Sequence, residues 1–294
     1  MRILITIPHF FNPQGNGRYG STKSNPQPRI AAFTQALRNL YTLYAGAQEY
    51  WYRNGERLQP SHANDCSTIA LDIVVCTCQE YHLLEQLVLP PDLYEQHPVE
   101  CEPLQLGFAC HDILRQRLGD YDLYGYMEDD LILHDPSFFG KLHYVRQRTG
   151  EQVVLQPNRF ERYGTTTEFK KVYIDFEWQP PIQEPQDDGS TVALESLGQS
   201  IILHRATNSH AGCFFLSQAQ MAHWAAQEYF ADRDASFIGP LESAATLGLM
   251  RTFQIYKPAP RNANFLEIEH YGQVWSHQMA AVRFAPPRPS LPLR

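Results

Sequence analysis

The sequence predicts an α/β fold: a mostly parallel sheet with helices on both faces. Three observations carry this expectation. Strand-like and helix-like segments alternate through residues 1–127. The first of these, from Ile3 to Ile7, is apolar throughout and reads as a buried strand. Hydrophobic residues make up 43% of the 294-residue chain and charged residues 19%, enough apolar material for a sizeable core and too much for a disordered chain.

Residues 1–8 form the first expected strand, with Pro8 closing it. A polar loop rich in Asn, Gln, Gly and Pro runs to about residue 28. Ile30, Phe33, Leu37, Leu40, Tyr41 and Tyr44 recur at helical spacing and predict a helix over 29–44. Residues 69–78 read as a second strand and 104–118 as a helix that Gly119 stops. Residues 121–127 form the third strand. Further on, strands are expected at 153–163, 171–178, 201–205, 211–216 and 253–256. Ser217 begins a helix through about 230 with Gln220 in its first turn, and Pro240 opens another through 250. Residues 179–189 read as a loop. The expected organisation is one domain over 1–283, with halves 1–133 and 134–283, and a proline-rich tail over 284–294.

The third strand ends in three consecutive carboxylates, Glu128, Asp129 and Asp130, after which the chain turns apolar again at Leu131. Adjacent acids repel one another, and each loses hydration if buried, so a compensating cation is expected there. Carboxylate oxygens are hard ligands suited to Mg²⁺ or Mn²⁺, which usually bind substrate phosphates as well. In open parallel sheets ligands bind beyond the carboxyl ends of the strands. Pro8-His9-Phe10, Thr77-Cys78-Gln79 and the three acids all fall at such ends.

Other signals are weaker or negative. Gly15, Gly17 and Gly20 match the spacing G-x-G-x-x-G, but Pro8 ends the strand too early and Asn25-Pro26-Gln27-Pro28 follows instead of a helix. NAD binding is therefore not expected of this segment. The six cysteines, at 66, 76, 78, 101, 110 and 213, show no disulfide framework. Buried free thiols are the expectation for Cys76 and Cys78, with Cys101, Cys110 and His111 as loose partners for a zinc alternative. A net charge of −8 without a basic block gives no support to nucleic-acid binding. The apolar run from Ile3 to Ile7 is too short for a signal peptide or a membrane span, and nothing later reaches spanning length. A cytoplasmic protein is expected.

The segment from Tyr121 to Leu133 resembles the acidic motif of GT-A nucleotide-sugar glycosyltransferases. The order of elements is similar, as is the segment from Asn208 to Ser217, which looks like the acceptor-side strand of such enzymes. The resemblance implies a GT-A fold and metal-dependent, inverting transfer of a sugar from a nucleoside-diphosphate sugar donor to a glycan, lipid or protein acceptor. Asp130 would ligate Mn²⁺ or Mg²⁺, and Glu128 and Asp129 would face the ribose or the metal's water shell. His270 would complete the coordination, with His277 as the fallback; the other reading of His270 is a surface or capping histidine. Glu242 would take the acceptor's proton, or else is simply a first-turn acid that suits its helix dipole. Asp232 and Asp234 are weaker candidates for the base, and a retaining enzyme would need none. Pro8, His9 and Phe10 would flank the nucleotide base. Arg29 would reach a phosphate, unless it is an ordinary surface arginine.

Two departures stand beside the resemblance. The glycine-bearing loop after the first strand also looks like the start of GT-B enzymes, though no second nucleotide-binding half follows. Cys76-Thr77-Cys78-Gln79 lacks the aspartate many GT-A enzymes carry there. A nucleotidyltransferase could use the same acids, but Lys23 is the only lysine near the glycine loop. A non-catalytic protein that binds a glycan or partner is the third reading.

Overall fold

A computed structural model describes residues 1–15, 20–45, 48–64, 69–176, 190–196, 198–230 and 232–281. Gly17, Cys66, the expected 179–189 loop and the proline-rich tail lie outside the described residues.

In chain order the first part comprises β1 (Arg2–His9), α1 (Gln27–Tyr44), the hairpin β2 (Glu49–Asn54) and β3 (Arg57–His62), β4 (Ala70–Cys78), β5 (Glu95–Val99), α2 (Leu106–Gln116), β6 (Leu123–Met127) and β7 (Leu131–Ile132). There follow α3 (Phe138–Thr149), β8 (Val153–Leu155), β9 (Asn158–Gly164), β10 (Phe169–Tyr173), β11 (Thr191–Ser196), β12 (Gln199–Arg205) and β13 (Cys213–Ser217). The chain continues through α4 (Gln218–Ala225), α5 (Pro240–Thr252), β14 (Gln254–Pro258), β15 (Glu267–His270) and α6 (Val274–Ala281).

The fold is mixed α/β around a mostly parallel sheet of order β13-β6-β1-β4-β5. β6, β1, β4 and β5 run parallel, and β13 closes one edge antiparallel to β6. A strand from beyond residue 133 thus completes the sheet begun by the first half. Two smaller sheets, β10-β9-β15-β7 and β11-β12-β14-β8, extend the second half.

Both faces of β13, β6, β1 and most of β4 are buried, which explains their near-continuous apolar sequences; only the edge strand β5 is polar and largely exposed. Ile3, Ile5 and Ile7 of β1 pack with Phe33, Leu37 and Leu40 of α1 on one face. Leu4 faces the opposite way, with Val74, Cys110 and Tyr126, against α2. This alternation decides where the side chains after each strand point.

Four expectations shift. Pro8 does not end β1, which stays in register with β4 through His9 opposite Thr77. Pairing with β6 stops at Thr6, so the missing proline N–H falls where no β6 residue stands opposite. α1 begins at Gln27, where the Asn25 side chain accepts the Gln27 N–H at 3.1 Å and proline fits the first turn. The expected 153–163 strand is two, because Val153 to Leu155 joins β14 and Asn158 onward joins β15. α4 starts with the capping box of Ser217 and Gln220 but ends at Ala225.

Candidate functional site at the carboxyl ends of β1 and β6

The alternation of the strands sorts the three acids. Leu123 and Met127 of β6 face α1, so Asp129 continues onto that side and sinks beneath it, 2% exposed. His9 shares the parity of Ile3, Ile5 and Ile7 and is fully buried, its ring stacked on Phe33 at 4.7 Å. The Leu83 N–H donates to His9 Nε2 at 3.0 Å. His9 Nδ1–H therefore donates to Asp129 Oδ2, at 2.5 Å. Expected to face a ribose or a metal's water shell, Asp129 is instead shut off from solvent and locks the end of β6 to the end of β1.

The cation expected beside the acids is part of the chain. Arg29, in the first turn of α1, places Nη1 2.7 Å from Asp130 Oδ2 and 3.1 Å from Asp129 Oδ1. Its Nε is buried without a partner. One edge of this guanidinium is committed to the acids, so Arg29 is not a surface arginine.

Asp130 keeps one oxygen open. Oδ1 is buried and has no hydrogen-bond partner, whereas Oδ2 meets Arg29 and lies 3.8 Å from His270 Nε2. Burial opposes ionisation of Asp130, but His270 and Arg29 outweigh it and hold the carboxyl below its usual range. His270 closes β15, and its Nδ1 bonds Glu161 Oε1 at 2.9 Å. Glu161 is fully buried in β9 and also accepts N–H groups of Trp275 and Ser276 at the start of α6. Although burial works against it, the carboxyl of Glu161 is held low by His270 and the Ser276 N–H, and stays a carboxylate. In the neutral ring, a carboxylate accepting from Nδ1–H leaves the lone pair on Nε2, the arrangement that orients metal-binding histidines. His270 is thus not a capping residue; Glu161 caps the helix. His277 sits on α6 with its ring against Tyr163 and bonds Gln273.

Glu128 follows the other parity, that of Tyr124 and Tyr126, toward α5. Burial, then the nearby Asp130, raise its carboxyl well above the usual range. The α5 acid Glu242 adds to this effect, which brings it into the same neighbourhood. Glu242 Oε2 folds back over Gly239, where a Cβ would lie 2.5 Å away. Between these acids the Tyr126 hydroxyl is buried without a partner. Asp232 and Asp234 instead pair with Arg251 on the surface.

Several residues escaped the sequence reading. Glu161, Arg159 (β9), Asp175 and Lys257 (β14) lie in segments with no acidic or basic motif. Asp175 accepts from Arg159 Nε at 2.8 Å and from Lys257 Nζ at 2.9 Å, and these cations draw its carboxyl to about 2 despite burial. Tyr81, 38% exposed, tilts against half-buried Phe10 at 5.9 Å, making an aromatic rim beside the crevice. Pro8 is buried in the sheet. The parity of β1 was the one signal in the sequence that could have turned His9 inward.

Among the described residues no three His, Cys, Asp or Glu side chains form a metal-holding group. Two ligands fit a cation nonetheless: the orphaned Asp130 Oδ1 and the oriented His270 Nε2. Mg²⁺ and Mn²⁺ sites often have one or two protein ligands, with substrate phosphates and water supplying the rest. Cys76, Cys78, Cys101, Cys110 and Cys213 are free thiols. A separate cleft of about 620 Å³ opens at the amino-terminal end of the central strands, near Met1, Leu123 and Arg146. Its polar groups are spent on one another, Ser217 Oγ and Arg146 both meeting Glu151, so its size alone gives it no chemistry. No described helix is long and apolar enough to cross a membrane.

The chain matches no protein-family model, and no curated protein resembles it significantly.

Proposed function

We propose that this chain is a cytoplasmic, metal-dependent glycosyltransferase of GT-A type, moving a sugar from a nucleoside-diphosphate sugar to an acceptor hydroxyl. The observation that carries the reading is Asp130: a buried, partnerless carboxylate oxygen at the carboxyl end of a central parallel strand, with the Glu161-oriented His270 beside it. Asp130 and His270 would hold Mn²⁺ or Mg²⁺. Such an ion, when bound, neutralises the charge that gathers on the diphosphate as its bond to the sugar breaks. Phe10 and Tyr81 offer ring faces for a nucleotide base at the rim.

In an inverting transfer the acceptor oxygen bonds to the anomeric carbon as the carbon–phosphate oxygen bond breaks. The hydroxyl proton then needs a carboxylate. Glu242, partly exposed at the first turn of α5, would receive it. His9, Asp129 and Arg29 do not touch substrate in this reading; they fix the strand ends so that Asp130 is presented correctly.

A second reading is favoured by the Arg29 pairs. Arg29 already offsets one of the two negative charges of Asp129 and Asp130, so the same chain could bind a glycan or partner without turnover, its acids serving only to join α1 to β6.

Thermal stability in UDP, GDP and CDP, each with Mn²⁺ or EDTA, separates the two. Wild type should gain stability with one nucleotide only when Mn²⁺ is present. Asp130→Ala should lose that gain while remaining folded, because Arg29 keeps its contact with Asp129. Glu242→Gln should keep the gain and lose transfer. No Mn²⁺-dependent gain with any nucleotide would sink the transferase reading.

A further inference from the structure

The geometry points to Arg159 as an oxyanion-binding residue that grips the diphosphate of the donor beside Asp130, an assignment that rests on the transferase reading above. An incoming diphosphate meets Glu128 and Asp130, and Arg29 has already spent Nη1 on the acids. Another cation is needed to make the crevice attractive to a polyanion.

Arg159 has the required form. Asp175 takes its Nε–H at 2.8 Å and its backbone N–H at 2.9 Å. Lys257 Nζ holds the same carboxylate at 2.9 Å and also donates to the His210 carbonyl at 2.6 Å, so the clamp cannot swing away. Neither Nη group has a hydrogen-bond partner among the described residues. Arg159 stands opposite Ile268 of β15, two residues before His270, and has the same strand parity on β9 as Glu161, which holds His270; its charge also acts on Glu128 and Asp130. The side chain is only 12% exposed. A desolvated guanidinium with an open edge is costly until an anion arrives. Its parallel N–H groups match two phosphate oxygens, whereas a neutral sugar hydroxyl would leave the charge uncompensated.

Calorimetric titration with inorganic pyrophosphate, in Mg²⁺ and in EDTA, tests the assignment. Arg159→Gln should weaken binding at least tenfold in both buffers. Arg162→Gln, on the same strand but 64% exposed and paired with Glu269, should leave it unchanged. If Arg159→Gln does not fold, Arg159→Lys keeps the charge but loses the two-pronged edge and should weaken binding at least threefold. A folded Arg159 variant that binds as wild type does would overturn the assignment and leave the transferase reading intact. Wild type binding no pyrophosphate in either buffer would overturn both.

Discussion

Single residues here act through what burial does to their charge. Asp129 and His9 are invisible to solvent, yet their one short hydrogen bond decides how the acids are shared between structure and site. His111 shows the same principle in an apolar setting. Its ring packs among Phe108, Tyr126, Phe214, Trp224 and Phe230, and Nε2–H donates to the Ala244 carbonyl at 2.9 Å. Burial depresses the imidazole to about 4 from its ordinary 6.5. Between those values the unfolded chain binds the extra proton and the folded chain does not, so stability falls as pH drops through this window. The loss attributable to His111 should approach about 3 kcal/mol at the acid end. Urea unfolding at pH 7 and pH 4 should show wild type losing that much more than His111→Gln, which keeps a donor for Ala244 without the titration. Equal losses would mean that the ring is not shielded as described.

Elements are joined at the site by close approach as well as by charge. α2 meets α5 where Gly107 leaves no room: a Cβ there would sit 2.7 Å from Ala244 Cβ and 3.0 Å from Tyr126 Oη. Gly107→Ala should therefore destabilise by about 1–3 kcal/mol through overpacking. Gly140, exposed in α3 with nothing within 4 Å of its missing Cβ, should respond with the opposite sign. Gly140→Ala should stabilise by up to about 1 kcal/mol, because alanine is the better helix former. Denaturant melts of the two variants measure both, and a neutral Gly107→Ala would show that the helices can move apart freely.

For the whole molecule, cohesion centres on the sheet. β1 has strands on both sides and helices on both faces, whereas every residue of the β2–β3 hairpin is exposed. A lone hairpin is marginal in water even with a Tyr50–Tyr52 ring pair at 5.0 Å. Amide hydrogen exchange should be slowest in β1, β4 and β6 and fastest, among the strands, in the hairpin. Comparable protection in the hairpin would reveal a stabilising contact beyond those described. The hairpin was not legible in the sequence. Its residues, from Glu49 to His62, mix aromatic and polar types without the alternation that marks a half-buried strand. β5 was hidden similarly by its polar composition and Pro98 at the sheet edge.

By itself the sequence determined the α/β character, the three central strands and the segments that meet at their carboxyl ends, because apolar runs and helical periodicity are local properties set by water. It also singled out Glu128, Asp129 and Asp130, since three adjacent acids between apolar segments are conspicuous at any reading. Only the tertiary structure decided what each acid does. Asp129 was turned under α1 by strand parity, Asp130 was left with one free oxygen by Arg29 from a residue 101 positions away, and His270 was aimed by Glu161 across a separate sheet. Those partners are brought together by chain crossings, and a charge pair between distant segments leaves no periodic trace in the sequence.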